Sequence, residues 1–352
     1  MELTSLYLKN FRLYKERMVL FAPKTNLIFG ANARGKTTIL EAIYYFITGK
    51  SFRTEKPQEL ISSGENYFYL EISFKKHSVS QSLKVFFDGK ERKILYNNTK
   101  LSSAVHLFGI LQGVLLTPDD VSLIKGEPLL RREFFDAAIA QADPLYIHYL
   151  TRYKRALRQR NCLLKAKALN SIESFEHEMA ASASYIALQR REFLKNLEFL
   201  NNPMHLKLSG EEEAVSLRYK PSGHTAHELD CLKKTYLDLF KKNRLKEVDL
   251  GVTYAGPHKD DLLFFLNEKE VRHFASEGQQ RSLISTLRFS QWMQLKNRSQ
   301  GLPLMLIDDL GISLDEGRKK RQLEFLNNFS QVFLTMTEPA KIHDDENLIE
   351  IS

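Results

Sequence analysis

The run Gly30-Ala31-Asn32-Ala33-Arg34-Gly35-Lys36-Thr37 constrains the fold more than any other stretch of this chain. It fits the pattern of a glycine, four residues, then Gly-Lys-Thr, in which the glycines let backbone N–H groups curl round phosphate oxygens. The lysine of such a loop reaches the terminal phosphates, and the following hydroxyl takes a place on Mg²⁺. Both flanks are what the loop requires. Asn26-Leu27-Ile28-Phe29 is a short apolar run that reads as a strand, and Ile39, Leu40, Ile43 and Ile47 recur at helical spacing behind the loop. That helix would aim the partial positive charge of its amino end at the phosphates. Gly30, Ala31, Asn32, Ala33, Arg34, Gly35, Lys36, Thr37 and Thr38 are therefore the expected nucleotide-binding residues, with Lys36 catalytic and Thr37 on the metal.

A carboxylate partner for such a loop lies far downstream, in Leu304-Met305-Leu306-Ile307-Asp308-Asp309. So short an apolar run reads as a buried parallel strand, and acids at its carboxyl end emerge beside the phosphate loop. Asp308 would hold Mg²⁺ through water, and Asp309 would orient or deprotonate the attacking water, since phosphoryl transfer depends chiefly on positioning and electrostatics. A third signal is Ser276-Glu277-Gly278-Gln279-Gln280, with Leu283, Ile284, Leu287 and Trp292 at helical intervals after it. Ser276 with Gln279 three residues on is a capping box, so a helix begins here with its N–H groups and Gly278 open to an anion.

The rest of the chain organises around these signals. Leu3–Leu8 and Met18–Phe21 read as strands, residues 67–96 alternate as a sheet with Asp88-Gly89 as a hairpin turn, and Val215–Tyr219 and Gly251–Leu266 return to strand patterning. From Leu145 to Asn202 there is neither Gly nor Pro for 58 residues, which predicts a long helical stretch, made a hairpin by a break near Asn170-Ser171. A further helix is expected over His227–Lys242. A mainly helical segment is thus inserted between two halves of an α/β domain.

Charge indicates a partner. In 352 residues 51 Lys and Arg stand against 43 Asp and Glu, a formal +8 that suggests a polyanion. Residues 125–247 carry 22 basic and 16 acidic side chains, so most of the excess lies in the insert. Arg152, Lys154, Arg155, Arg158, Arg160, Lys165 and Lys167 follow one another with no acid between Pro144 and Glu173; they form either a polyanion-binding face or a solvated helix face. No apolar run approaches the ~18 residues of a membrane span. Met-Glu-Leu-Thr is not a secretory start, and Cys162 and Cys231 make no disulfide framework, so a cytoplasmic protein is expected. His258 has no cysteine or histidine cluster around it and is read as a turn-supporting residue, not a metal ligand.

In this order, the phosphate loop, Gly256-Pro257-His258-Lys259-Asp260-Asp261-Leu262, the Ser-x-Gly-Gln-Gln turn and the Asp-Asp strand resemble the RecF family of SMC-like ABC-type ATPases of bacterial recombinational repair. Further matches are Asn10-Phe11-Arg12, Leu40-Glu41-Ala42-Ile43, Lys50-Ser51-Phe52-Arg53, Pro118-Asp119-Asp120, Arg131-Arg132 with Asp136, and Gln159-Arg160-Asn161. The resemblance implies an α/β fold: an ABC-type ATPase head of mixed sheets around helices over 1–124 and 248–352, with a mainly helical arm inserted over 125–247. It implies ATP and Mg²⁺ as cofactors and a homodimer formed on ATP, in which Ser276, Gly278 and Gln279 cap the γ-phosphate held by the second subunit's loop. It implies double-stranded DNA or single-strand/double-strand junctions as partner, and the basic run, with Arg152, Lys154, Arg155, Arg158 and Arg160, is the expected contact with its phosphates. It also implies slow DNA-stimulated hydrolysis of ATP and cooperation with RecO and RecR in loading recombinase at gaps. Gln112 is the candidate for the loop linking Mg²⁺ to the helical lobe. The alternative class is an ABC-type ATPase subunit that drives a protein or membrane partner without touching DNA, and stimulation of ATP turnover by duplex DNA separates the two.

Three departures from the family pattern stand out. Ile312-Ser313-Leu314-Asp315 replaces Ser-Glu-Leu-Asp after the acidic pair, which puts communication between subunits in doubt. Val332-Phe333-Leu334-Thr335-Met336-Thr337 has no γ-phosphate-sensing histidine, leaving Thr335 or Thr337 to supply a hydrogen bond. Arg34 replaces the usual small or amide residue, so its side chain has the phosphates or a partner within reach.

Overall fold

The computed structural model describes residues 1–223, 228–298, 301–309, 315–338 and 346–351. The chain opens with strands β1 (Glu2–Phe11), β2 (Tyr14–Leu20) and β3 (Thr25–Phe29), helix α1 (Lys36–Thr48), then β4 (Phe68–Lys76), β5 (Val79–Phe87), β6 (Arg92–Tyr96), β7 (Thr99–Lys100) and β8 (Gly113–Leu116). Helices α2 (Ser122–Lys125), α3 (Pro128–Ala142), α4 (Pro144–Ala166) and α5 (Ile172–Ser209) follow. Next come β9 (Val215–Lys220), α6 (Leu229–Leu250), β10 (Asp261–Leu266), β11 (Lys269–Glu270) and α7 (Val271–Phe274). The chain ends with α8 (Glu277–Arg298), β12 (Leu304–Ile307), α9 (Glu316–Phe325), β13 (Gln331–Met336) and β14 (Asn347–Glu350).

Residues 1–120, 203–212 and 276–352 form the first of two units. Its antiparallel sheet has the order β2-β1-β4-β5-β6-β7, and its parallel sheet the order β14-β3-β13-β12-β8. β4 shows the two-residue period of a half-covered strand, with Phe68, Leu70, Ile72 and Phe74 turned inward. β12 has no such period: all four residues are buried, as in a parallel strand covered on both faces. Helix α1 explains both patterns. Its Ile39, Leu40, Ile43, Phe46 and Ile47 share one core with Leu6 and Leu8 of β1, Leu70 and Ile72 of β4, Leu304 and Leu306 of β12 and Phe333 of β13. Each such side chain contributes about 2 kcal/mol by leaving water. The helix that follows the phosphate loop is therefore fixed along its whole length, and the loop inherits that rigidity.

Residues 121–202 and 213–275 form the second unit, in which β11-β10-β9 make an antiparallel sheet beside α3, α4 and α6. The Gly- and Pro-free stretch is helical, and it breaks where Lys167 takes a left-handed φ of 54°. α5 then runs on through Pro203 to Ser209.

The observed limits differ from the expected 1–124, 125–247 and 248–352. Residues 248–275 belong with the insert because β10 pairs with β9 from Asp261↔Lys220 to Leu266↔Val215. Residues 203–212 belong to the first unit, where Arg321 binds the Leu208 and Ser209 carbonyls at 3.3 and 2.5 Å. Strand structure in the Gly251–Leu266 stretch begins only at Asp261, and the helix expected to end at Lys242 continues to Leu250; its expected start, His227, lies outside the described residues.

Candidate nucleotide-binding site

The phosphate loop joins the carboxyl end of β3 to the amino end of α1. Gly30 has φ 148° and Gly35 φ 105°, and a side chain at Gly30 would overlap the Ile351 carbonyl, while one at Gly35 would meet the Tyr14 ring at 2.8–3.1 Å. Ala33 is also left-handed at φ 62°. Glycine is thus required at both ends of the loop by close neighbours as well as by φ. Lys36 is buried, and its Nζ donates to the Gly30 and Ala31 carbonyls at 2.7 and 3.0 Å, so the ammonium lies inside the curl of the loop. Ala31, Asn32, Ala33 and Arg34 are exposed, whereas Thr38 is buried with its N–H on the Gly35 carbonyl at 3.0 Å.

The carboxylate strand meets this loop. Thr37 Oγ1 donates to Asp308 Oδ1 at 3.0 Å, and Thr335 Oγ1 donates to the same oxygen at 2.6 Å. Burial pushes the Asp308 carboxyl above the ordinary range, the Thr335 and Thr37 hydroxyls hold it down, Asp309 pushes it up, and the charge of Arg53 again lowers it. Asp309 has φ 49°, and its N–H donates to Thr335 Oγ1 at 2.9 Å. The hydroxyl of Thr335 is therefore committed to the acidic pair, while Thr337 is exposed just past the end of β13. The 312–314 part of the departure after the acidic pair lies outside the described residues.

A second set of charged residues, which spacing alone did not assign to the site, stands one helical turn beyond Thr37. Glu41 of α1 is fully buried and accepts from Arg12 at 2.6 and 3.0 Å, Ser51 at 2.5 Å and Arg53 at 3.4 Å. An unpaired carboxylate there would cost several kcal/mol, so Arg12 and Arg53 are held against the loop helix. Three of the short motifs noted in the sequence, around Asn10, Glu41 and Ser51, meet in this cluster. The Pro118-Asp119-Asp120 stretch is explained similarly, because Asp120 receives Arg288 of α8 at 2.6 and 3.1 Å and the Thr117 N–H at 3.0 Å.

Helix α8 starts as the capping box requires: Ser276 N–H donates to Gln279 Oε1 at 2.8 Å, and Gln279 N–H to Ser276 Oγ at 3.2 Å. A side chain at Gly278 would meet Arg318 at 2.7 Å; that guanidinium also pairs with Glu211 at 2.5 Å and Asp315 at 3.3 Å.

Two expected site residues are placed elsewhere. Gln112 precedes β8, whose Gly113 and Leu116 pair with Leu304 and Ile307. Its carbonyl receives the Leu304 N–H, whereas the Asp308 N–H binds the Leu116 carbonyl. Gln112 therefore lies at the amino edge of the parallel sheet, about 13 Å along the strands from Asp308 at ~3.3 Å per residue. The sequence carried Gln112 because it came just before an apolar run; only the direction of β8 reveals that the site lies past Leu116. Arg160 is the second correction, since it is fully buried and pairs with Glu176 at 2.8 Å and Glu247 at 2.7 Å, out of reach of any external phosphate. Arg152, Lys154, Arg155 and Arg158 are exposed on α4, with Arg152 paired to Glu178 and Lys154 3.8 Å from Asp136.

The Gly256–Asp261 motif is structural within the second unit. A side chain at Gly256 would overlap the Tyr153 hydroxyl. Asp260 is fully buried beneath Arg190 at 3.1 Å, Tyr219 and the Ser222 N–H at 2.8 Å, and Asp261 takes Arg131 at 2.7 and 3.1 Å. Asp136 receives Tyr146 at 2.6 Å and Arg190 at 2.9 Å, while Asn161 accepts from Thr253 at 2.7 and 2.9 Å. Cys162 and Cys231 are exposed free thiols, and among the described residues no group of three or more His, Cys, Asp or Glu is placed to hold a metal.

A phosphate loop on a buried helix between a parallel and an antiparallel sheet, with an acid-ended strand against its threonine, defines the class: a P-loop ATPase head with a second unit inserted in its sequence. Residues 5–145 match the family model of the AAA domain. The chain is 47% identical over 340 residues to the DNA replication and repair protein RecF of Protochlamydia amoebophila, covering 96% of this chain and 95% of that one. It is 36% identical to RecF of Clostridioides difficile over 355 residues, 99% of this chain and 95% of that one. Two solved structures of the recombination mediator protein RecF in the RecFOR pathway superpose with TM-score 0.90. The one with ATPrS is 29% identical over 97% of this chain and 94% of that one; the one with ATP is 28% identical over 98% and 94%. The chain belongs to the RecF family of DNA replication and repair proteins.

Proposed function

We propose that this chain is an ATP-dependent DNA-binding protein of recombinational repair and replication restart, in which two copies close on ATP to form two composite sites. The observation that carries the reading is the 3.0 Å bond between Thr37 and Asp308, which sets a hydroxyl and a carboxylate together at the amino end of α1. The solved relative named with ATP agrees with it. The residues present fit ATP with Mg²⁺: the loop curls round the Lys36 ammonium, and one threonine hydroxyl beside one aspartate suits a hard cation that keeps several waters. Bound there, Mg²⁺ would supply positive charge to offset the negative charge that builds up as the γ-phosphoryl group passes from ADP to water.

The chain's own groups do the rest. Lys36 stabilises negative charge gathering on the terminal phosphates, and Thr37 and Asp308 are the residues that would hold the metal, the latter through water. Asp309, its backbone fixed by Thr335, orients the attacking water. Ser276, Gly278 and Gln279 of the second copy cap the γ-phosphate with the N–H groups of the α8 start. Exposed Arg152, Lys154, Arg155 and Arg158 contact the phosphates of duplex DNA or of a single-strand/double-strand junction, so affinity falls steeply with salt. Hydrolysis is slow, stimulated by DNA, and reopens the dimer, which in its closed form helps RecO and RecR load recombinase at gaps. No helix among the described residues is long and apolar enough to cross a membrane, and we place the protein in the cytoplasm.

Sedimentation of wild type and Lys36→Met with and without ATP and Mg²⁺, each with a short duplex in a parallel run, tests this. The expected result is an ATP-dependent dimer that retains DNA, with both properties lost in the variant. A monomer unmoved by ATP, or a dimer indifferent to DNA, overturns the clamp; the latter would favour a subunit driving a protein partner.

A further inference from the structure

Arg34 and Glu277 are two exposed charges at the two surfaces that the closed dimer would bring together. The loop curls its N–H groups inward around Lys36, which leaves the side chains of the four residues before Gly35 facing outward, and Arg34 is exposed. Among the described residues no acid is ion-paired with it. An arginine facing outward from a phosphate loop meets whatever covers the loop, and in the proposed dimer that is the amino end of α8. A bare helix amino end carries partial positive charge and would repel a guanidinium. Glu277, the first residue of α8, reverses that sign: its side chain is 61% exposed, and its partner is Arg281 one turn along the same helix at 3.0 Å. Such an exposed pair along one helix is weak and leaves the carboxylate able to take a second cation.

We propose that Arg34 of one copy pairs with Glu277 of the second copy across the ATP-closed dimer, once at each composite site, and that this pair adds to the selectivity of the chain for itself. The inference rests on the dimer reading above and names two residues that hold it. Opposed charges of this kind set partner choice more than they set raw affinity, because a mismatched pairing places like charges together.

The experiment uses full-length Arg34→Glu and Glu277→Arg proteins, sedimented singly and mixed in equal amounts with Mg²⁺ and a non-hydrolysable ATP analogue. Each variant alone sets like charges at both contacts of its homodimer, whereas the mixed dimer sets an acid against a base at both. Each single variant is expected to dimerise about tenfold or more weakly than wild type, and the mixture to recover to within about threefold. A role of Arg34 toward the nucleotide of its own copy leaves Glu277→Arg alone dimerising like wild type, so that charge reversal at Glu277 neither weakens the dimer by itself nor rescues the Arg34→Glu copy on mixing. A role toward DNA leaves the single variants dimerising normally and lowers duplex binding only. Either outcome, with wild type still dimerising, overturns the pair and leaves the dimer reading intact; a wild type that stays monomeric overturns both. Should Arg34→Glu fail to bind a fluorescent ATP analogue, Arg34→Gln, Glu277→Gln and their combination replace it. The pair then requires the double variant to be no weaker than either single one, and additive losses overturn it.

Discussion

Thr335 holds both acids at the end of β12: its hydroxyl donates to Asp308 Oδ1 at 2.6 Å and accepts the Asp309 N–H at 2.9 Å. One side chain from β13 thereby fixes the carboxylate of one residue and the left-handed backbone of the next. The third contact, Thr37 to Asp308, ties the same carboxylate to the loop helix, so the groups proposed to hold the metal and orient water are joined to α1 by hydrogen bonds.

Asp308 is buried, and its carboxyl is raised from 3.8 chiefly by that burial. The native state then holds its proton to higher pH than the unfolded chain, so the contribution of Asp308 to stability is greatest below about 3.8 and falls as pH rises through the native value. At pH 7 the native charge is a liability. Asp308→Asn should therefore raise the melting temperature of the nucleotide-free protein by about 1–3 °C at pH 7 while lowering ATP turnover by about a hundredfold or more. Calorimetry and phosphate release decide it, and a melting temperature that falls contradicts the account.

Thr335→Val removes one of the two hydroxyls that hold the Asp308 carboxyl down. The carboxyl rises further, and the acid limb of the turnover profile moves to higher pH. Thr337→Val, at an exposed position past the strand, should leave that limb in place. A pH profile of turnover for the two variants separates these roles.

Gln112 stands at the amino edge of the parallel sheet, away from Asp308. Gln112→Ala should leave ATP turnover within about twofold of wild type, because no group of the site is displaced. A loss of tenfold or more, in a protein that melts normally, would show that this edge is coupled to the site.

What the sequence revealed follows from which features are local. The phosphate loop, the capping box at Ser276 and the alternation of β4 are each set by a few consecutive residues, and all stand where their patterns put them. The Asp-Asp strand was legible because a fully apolar four-residue run has few other readings. What could not be read was direction and long-range pairing. Gln112 needed the orientation of β8. The limit at residue 275 needed the pairing of β10 with β9, whose partners lie 41 to 51 residues apart. Arg160 needed Glu176 and Glu247, which a charge run cannot display. The motif most specific to the family, Gly256–Asp261, holds the inserted unit together through Arg190, Ser222 and Arg131, partners that no local pattern displays.

Arg160 and its exposed neighbours on α4 should accordingly differ in kind. Arg160→Ala leaves the Glu176 and Glu247 carboxylates buried without their shared cation, although Arg244 still reaches Glu176 at 2.5 Å. It should destabilise the second unit by about 3 kcal/mol, visible in urea unfolding. Arg155→Ala with Arg158→Ala should leave unfolding unchanged, weaken duplex binding and flatten the plot of log affinity against log salt by about two. If the exposed pair altered stability and not DNA affinity, α4 would not be the DNA-facing helix.

His258 provides a pH test of the buried network. Its Nδ1 accepts the Tyr153 hydroxyl at 2.6 Å and its Nε2–H donates to the Thr253 carbonyl at 3.1 Å, an arrangement that holds the ring neutral. Burial pushes its pKa from 6.5 down to about 4; the bond to Thr253 opposes the shift, and the charges of Lys259, Arg132 and Arg190 add to it. The unfolded chain takes up this proton near 6.5 and the native ring not until about 4, so between those values the unfolded state binds more protons. Stability is fully present above about 6.5 and is lost as pH falls toward about 4, by roughly 2–3 kcal/mol. His258→Gln keeps an acceptor and a donor at the site but cannot titrate. It should be less stable than wild type at pH 7, because a flexible amide fits the ring's place poorly, yet lose less stability than wild type between pH 7 and pH 4.5. Carboxylates titrate in both proteins, so the difference between their urea midpoints isolates His258. Equal losses in the two would mean that the neutral ring is not what ties the Gly256 turn to Tyr153 and Thr253.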